Sequence, residues 1–206
     1  MRQRLVFCTA AACVAAGTSF ATAAPAATVT PTAIVNLSPV TASGALATGY
    51  TVTKHLLRGH CETGTISTGN GYRCFAGKTV LDPCWVTSSK KYVDCLAQPW
   101  AYDVVQLKVS KGYSNYGGVQ AKADLPWGVQ LAGGTRCLRI QGTPAFIDGQ
   151  VQTYRCPRTR YVLTGNQYKS TKVWKIREAK KVAHGYKEIG KVRIATAWFG
   201  KKSREA

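Results

Sequence analysis

From about residue 50 onward, apolar and polar positions alternate with a period of two. They do so in short runs rich in Val, Ile, Tyr and Thr that stop at Gly, Asn and Asp. Successive side chains of a strand point to opposite faces, so this is the pattern of half-buried strands separated by turns. The clearest stretch is 128–156. Gly128-Val-Gln-Leu-Ala132 precedes Gly133-Gly134 and Thr135-Arg-Cys-Leu-Arg-Ile140, and Phe146-Ile147 precedes Asp148-Gly149 and Gln150-Val-Gln-Thr-Tyr-Arg-Cys156. Gly-Gly and Asp-Gly tolerate positive φ at both central positions of a tight turn, so both read as hairpins. Further strands are expected at 72–75, 92–95, 103–109, 160–163, 173–177 and 192–198. Only 177–183 (REAKKVA) has the composition of a helix, and it is short for one. The expected fold is all-β or β-dominated: an antiparallel meander stapled by disulfides, with at most one short helix.

In the run 192–199, one face carries Val192, Ile194, Thr196 and Trp198, and the other Arg193, Ala195, Ala197 and Phe199. A strand with a single charge on its two faces is expected to be covered on both sides. The basic residues around it then decorate an integrated sheet and its loops.

Upstream the texture changes. Met1-Arg2-Gln3-Arg4 is a short positive start, residues 5–16 (LVFCTAAACVAA) are apolar and uncharged, and Ala21-Thr22-Ala23 is a small-x-small cleavage pattern. That order makes residues 1–23 a secretory signal peptide. Twelve apolar residues rise roughly 18 Å as a helix, short of a bilayer core of about 30 Å. A lipid anchor at Cys13 is the other alternative, disfavoured because the apolar run continues past it. Residues 24–49 are Ala, Thr, Pro and Val without charge and read as a flexible linker, leaving 50–200 as the folded domain.

Export changes the meaning of the cysteines. Removing the signal takes Cys8 and Cys13 and leaves Cys61, Cys74, Cys84, Cys95, Cys137 and Cys156. An even set in an oxidising compartment implies three disulfides, although fifteen pairings are open. Sequential pairing is preferred, because each pair then brackets a segment short enough for a hairpin or loop. Zinc is the competing use. No C-x-x-C occurs, and His55 and His60 beside Cys61 lack a second half, so no metal or other cofactor is expected.

Charge points to partners. The chain has 28 Lys+Arg against 9 Asp+Glu, and +12 of the excess lies in 155–206. Lys169, Lys172, Lys175, Arg177, Lys180, Lys181, Lys187 and Lys191 fall within 23 residues. If this segment folds back as a hairpin, its arms bring charge to one edge and form a candidate anion-binding surface. The plainer reading is a charge that only keeps the protein soluble and loosely wall-associated.

The order Tyr72-Arg73-Cys74-Phe75, Asp82-Pro83-Cys84-Trp85, Cys95, Pro99-Trp100, Pro126-Trp127, Gly134 and Cys137 carries a resemblance. Leu163-Thr-Gly165, Trp174 and Ala197-Trp198 continue it. Over residues 60–200 the chain resembles a group of uncharacterised secreted or membrane-tethered, cysteine-containing proteins of high-GC Gram-positive bacteria. The resemblance implies an extracellular, disulfide-bonded domain and brings no catalytic residue with it.

Catalytic patterns are weak. With all six cysteines paired no thiolate is left; there is no G-x-S-x-G, Ser170-Thr171-Lys172 is too tight for a serine–lysine pair, and Ser89-Lys90-Lys91 reads as a basic turn. For glycoside hydrolysis, Glu62 is the one glutamate between 50 and 177 and would be the acid; Asp82-Pro83 and Asp148-Gly149 read as turn formers. Of the five tryptophans, Trp85, Trp174 and Trp198 are assigned to the core, and Trp100 and Trp127, each after a proline, to aromatic ligand contact. The expected function is a secreted, non-enzymatic binding domain for an anionic wall polymer, lipid headgroup or nucleic acid. A wall-polymer hydrolase is the alternative, as is a protein inhibitor presenting the loop between Cys84 and Cys95.

Overall fold

A computed structural model describes residues 29–63, 65, 71–114, 125–141 and 143–200. The stretch read as a signal peptide, the start of the one read as a linker and the last six residues lie outside that set. Thirteen strands and no helix occur among the described residues, and no helix there is long and apolar enough to cross a membrane. The fold is all-β.

The chain makes two closed meanders. The first runs β2 (Thr51–Thr63), β3 (Tyr72–Ala76), β4 (Thr79–Val86), β5 (Tyr92–Leu96) and β6 (Asp103–Ser114), and closes by pairing β6 with β2. Each strand of a meander runs opposite to the one before, so with five strands the last is parallel to the first. The β2–β6 ladder is parallel.

The second runs β7 (Gly128–Leu131), β8 (Arg136–Arg139), β10 (Gln150–Arg155), β11 (Tyr161–Tyr168), β12 (Lys175–Val182) and β13 (Gly185–Gly200); the short β9 (Phe146–Ile147) pairs with β10 alone. Six strands make last and first antiparallel, and β13 pairs β7 in that sense. Both rings thereby cover edges that would otherwise stay unpaired.

The disulfides are 61–74, 84–95 and 137–156, the sequential set. Cys61 and Cys74 lie directly opposite on β2 and β3, as do Cys84 and Cys95 on β4 and β5. All four are buried with Leu81, Val93 and Leu107 inside the first ring. Cys137 and Cys156 join the second core, with Val129, Leu131, Tyr154, Leu163, Ile176, Ile194 and Phe199. Tyr154 is buried there, which pushes its phenol upward; its hydroxyl donates to the Pro126 carbonyl at 2.6 Å.

A third core cements the rings together. Trp127 lies among Trp85, Leu96, Val104 and Val40, all buried. Gly128 is required at this seam: a Cβ there would stand 2.6 Å from Pro99 Cγ. The Arg73 guanidinium donates to the Gln141 carbonyl, and the Gln141 amide donates to the Asp82 carbonyl.

Two expectations are corrected here. Part of the stretch read as a flexible linker is integral to the fold. Residues 33–37 form β1 (Ala33–Leu37), a strand parallel to the C-terminal half of β13. Thr32 Oγ1 donates to the Ile194 carbonyl at 2.7 Å and accepts the Trp174 N–H at 2.8 Å, and Val40 is in the seam core.

The second concerns 177–183. It is strand, with Ala183 and His184 as the turn into β13, because β12 is paired on both flanks. Seven residues have too few helical hydrogen bonds to compete with two ladders. Turn chemistry is otherwise close to expectation. Asp148 and Gly149 both have positive φ, 47° and 73°, whereas in Gly133-Gly134 only Gly134 does, at 83°. Asp82 is not in a turn but in β4, buried, with the Thr65 hydroxyl donating to it.

Candidate functional site

The β12–β13 hairpin gathers the basic residues, and register decides which of them share a face. Directly opposed residues of an antiparallel pair lie on the same face. Lys175 opposes Arg193, Arg177 opposes Lys191, and Lys180 opposes Lys187. On β11, Tyr168 opposes Lys175 and Val162 opposes Ala179. Ile176 is in the second core, so residues 175, 177, 179 and 181 face outward, together with Lys191, Arg193 and Tyr168. Lys180 and Lys187 occupy the opposite face, beside Tyr161 of β11. Lys169 and Lys172 sit in the β11–β12 connection; Lys169 Nζ is 4.6 Å from the Trp174 ring centre, and the Lys172 carbonyl accepts the Thr32 N–H. The eight residues singled out from sequence are thus divided among two faces and a loop.

The outer face is organised around Tyr168. Lys191 Nζ stands 3.7 Å from the centre of its ring, and Arg177 Nε donates to its hydroxyl at 2.7 Å. Arg177 Nη1 also reaches both oxygens of Glu188, at 2.8 and 3.0 Å. Hydrogen bonding to Glu188, then to Tyr168, raises the guanidinium pKa further, so Arg177 is a fixed cation. Lys175, Lys191 and Arg193 make no ion pair within 4 Å among the described residues. Like charges directly opposed across a ladder destabilise it. Three such pairs on one hairpin are therefore a cost to the fold.

Arg193 and Tyr168 went unnoticed as site residues. The signal was available in part: Arg193 is the one charged residue of the run 192–199. Pairing it with Lys175 needs the register, which includes a bulge between Glu178 and Ala179 that no local motif announces.

A satellite core covers part of this face. Ile147 packs with Val162 and Ala179, and Tyr186 lies against them. The β9–β10 arm is thereby laid over the outside of the sheet, and Asp148 Oδ2 accepts the Glu188 N–H at 3.0 Å.

The aromatic expectations divide. Trp85 and Trp198 are buried, as expected. Trp127, expected to contact ligand, is 1% exposed inside the seam. Being preceded by proline opens a strand entrance but does not keep it at the surface when the first ring packs against it. Trp100 is half-buried, edge-on to Trp198 at 5.4 Å with Arg136 above it at 5.5 Å, and its Nε1 donates to Gln98 at 2.6 Å. Trp127 therefore presents no stacking face, and the Trp100 ring carries Arg136.

Two carboxylates of the first ring, Asp94 and Glu62, have structural surroundings. Asp94 is buried, which raises its pKa, while the Gln106 amide at 3.0 Å acts in the opposite direction. Glu62 opposes Arg73 on the β2–β3 ladder, 3.9 Å from His60 Nε2. Among the described residues, the one grouping of three metal-ligand atoms is Cys74, Cys84 and Cys95, all held in disulfides. At the tip between Cys84 and Cys95, the Ser88 N–H donates to the Gly44 carbonyl at 2.9 Å, which ties the loop to the N-terminal segment.

Comparison of the chain with protein-family models, curated proteins and solved structures finds no match in any of the three.

Proposed function

We propose that this chain is an exported, non-enzymatic binding protein for an anionic extracellular partner, met by the outer face of β11, β12 and β13. The observation that carries the reading is the pair of like-charge couples Lys175–Arg193 and Arg177–Lys191, set around one tyrosine ring, with the Glu188 carboxylate paired to Arg177. A surface evolved for solubility has no need to oppose its cations directly, since that arrangement weakens the ladder. Export is supported by the signal-like first 23 residues and by three disulfides, which persist in oxidising compartments. The resemblance to secreted or membrane-tethered proteins of high-GC Gram-positive bacteria agrees with export.

The test is retention on an immobilised anionic polymer as salt is varied. Affinity should fall steeply, with a slope of about −0.7 to −0.9 for each phosphate neutralised. Replacing Lys175, Lys181 and Lys191 with Gln should flatten that slope. Retention of the wild type that ignores salt, or no retention at all, removes the reading and leaves the charge as a solubility feature.

A further inference from the structure

We infer that the anionic partner is a phospholipid surface, entered by the β9–β10 arm while the basic outer face meets the headgroups. The inference rests on the anion-binding reading above and adds what carries the anions.

The arm has an apolar side that its own fold leaves uncovered. Phe146 and Val151 are register partners and so share a face. Ile147, next along the strand, points the other way, into the satellite core with Val162 and Ala179. Phe146 and Val151 therefore stand away from the sheet, 74% and 41% exposed. Ile189, beside the Glu188 that holds Asp148, is 52% exposed as well.

This apolar ridge is joined to the cationic face by an unbroken chain of contacts. The Asp148 carboxylate holds the Glu188 N–H, the Glu188 carboxylate holds Arg177, Arg177 holds the Tyr168 hydroxyl, and Lys191 covers the Tyr168 ring. The arm cannot shift without disturbing the cations, so the two features present together. A soluble polyanion would engage the cations and give no use to a phenylalanine kept in water. The interface of an anionic bilayer uses both: headgroups attract Lys and Arg, and the acyl boundary takes up apolar side chains.

The experiment is co-sedimentation with vesicles of phosphatidylcholine alone or of equimolar phosphatidylcholine and phosphatidylglycerol, alongside binding to soluble polyphosphate. The wild type should partition onto the mixed vesicles and leave the neutral ones. Phe146→Ser with Val151→Ser should reduce that partition about tenfold or more, since two exposed apolar groups lose their insertion. The same variant should bind polyphosphate as the wild type does; both residues are exposed, and unchanged near-ultraviolet circular dichroism verifies its fold. Unchanged vesicle partition of the double variant overturns the inference. So does binding of the wild type to polyphosphate without binding to mixed vesicles, an outcome that leaves the anion-binding reading standing. Binding to neither overturns both.

Discussion

If the opposed cations of β12 and β13 are a cost to the fold, relieving them should stabilise the protein while weakening its binding. The cleanest perturbation is Lys175→Gln with Lys187→Gln, which removes one member each of the Lys175–Arg193 and Lys180–Lys187 pairs. Lys191 is left alone because its ammonium also lies over the Tyr168 ring, and Arg177 because it holds Glu188. Directly opposed residues have Cβ atoms about 4.5–5.5 Å apart, and such pairs matter by about 0.2–1 kcal/mol each. Three of the four side chains are exposed, so the lower half of that range applies, giving about 0.5–1 kcal/mol for both pairs. In a chain of this size 1 kcal/mol moves Tm by about 2–4 °C. The variant should therefore melt about 1–4 °C higher than the wild type in low-salt buffer, followed by circular dichroism. Near 1 M sodium chloride the Debye length falls to about 3 Å, and the two curves should converge. Retention on anionic polymer should fall in the same variant. A variant that melts at or below the wild type at low salt, or a difference that salt leaves unchanged, refutes the argument that these cations repel.

Three further outcomes are expected. Thiol titration of the unfolded, unreduced protein lacking residues 1–23 should find no reactive cysteine, and reduction should cost about 2–4 kcal/mol for each bridge. Thr32→Val leaves the Ile194 carbonyl and Trp174 N–H without their side-chain partner and should cost about 1–3 kcal/mol; a chain beginning at Gly49 should melt lower still, and equal melting would mean that β1 contributes nothing. Glu178 is half-buried, and loss of hydration raises its pKa above the ordinary 4.5. Between those two values the native state holds more protons than the unfolded one, so this group's contribution to stability falls as pH rises through that window and stays lower above it. Glu178→Gln should therefore be the more stable form at neutral pH and lose its advantage below about pH 4, as measured by denaturant melts; equal advantage at both pH values would exclude the desolvation argument.

Much of the fold was legible in the residues themselves. Period-two alternation, the Asp148-Gly149 turn and the even cysteine set are local signals, and each led to a strand, a hairpin or a bridge that the structure contains. The sequential disulfides are local for the same reason: each joins neighbouring strands of a meander, so short separation along the chain and proximity in space coincide. Closure was not legible. Pairing of β6 with β2 and of β13 with β7 joins residues far apart in sequence, and nothing within either strand names its partner. The same holds for β1, whose uncharged residues resemble a linker until β13 is there to receive them. Trp127 looked accessible because it follows a proline at a strand entrance, and only packing against the first ring buries it. At the candidate site, sequence alone determined the count and sign of the charges. Which of them face each other depends on a hairpin register with a bulge between Glu178 and Ala179, and one inserted residue moves every later side chain to the opposite face.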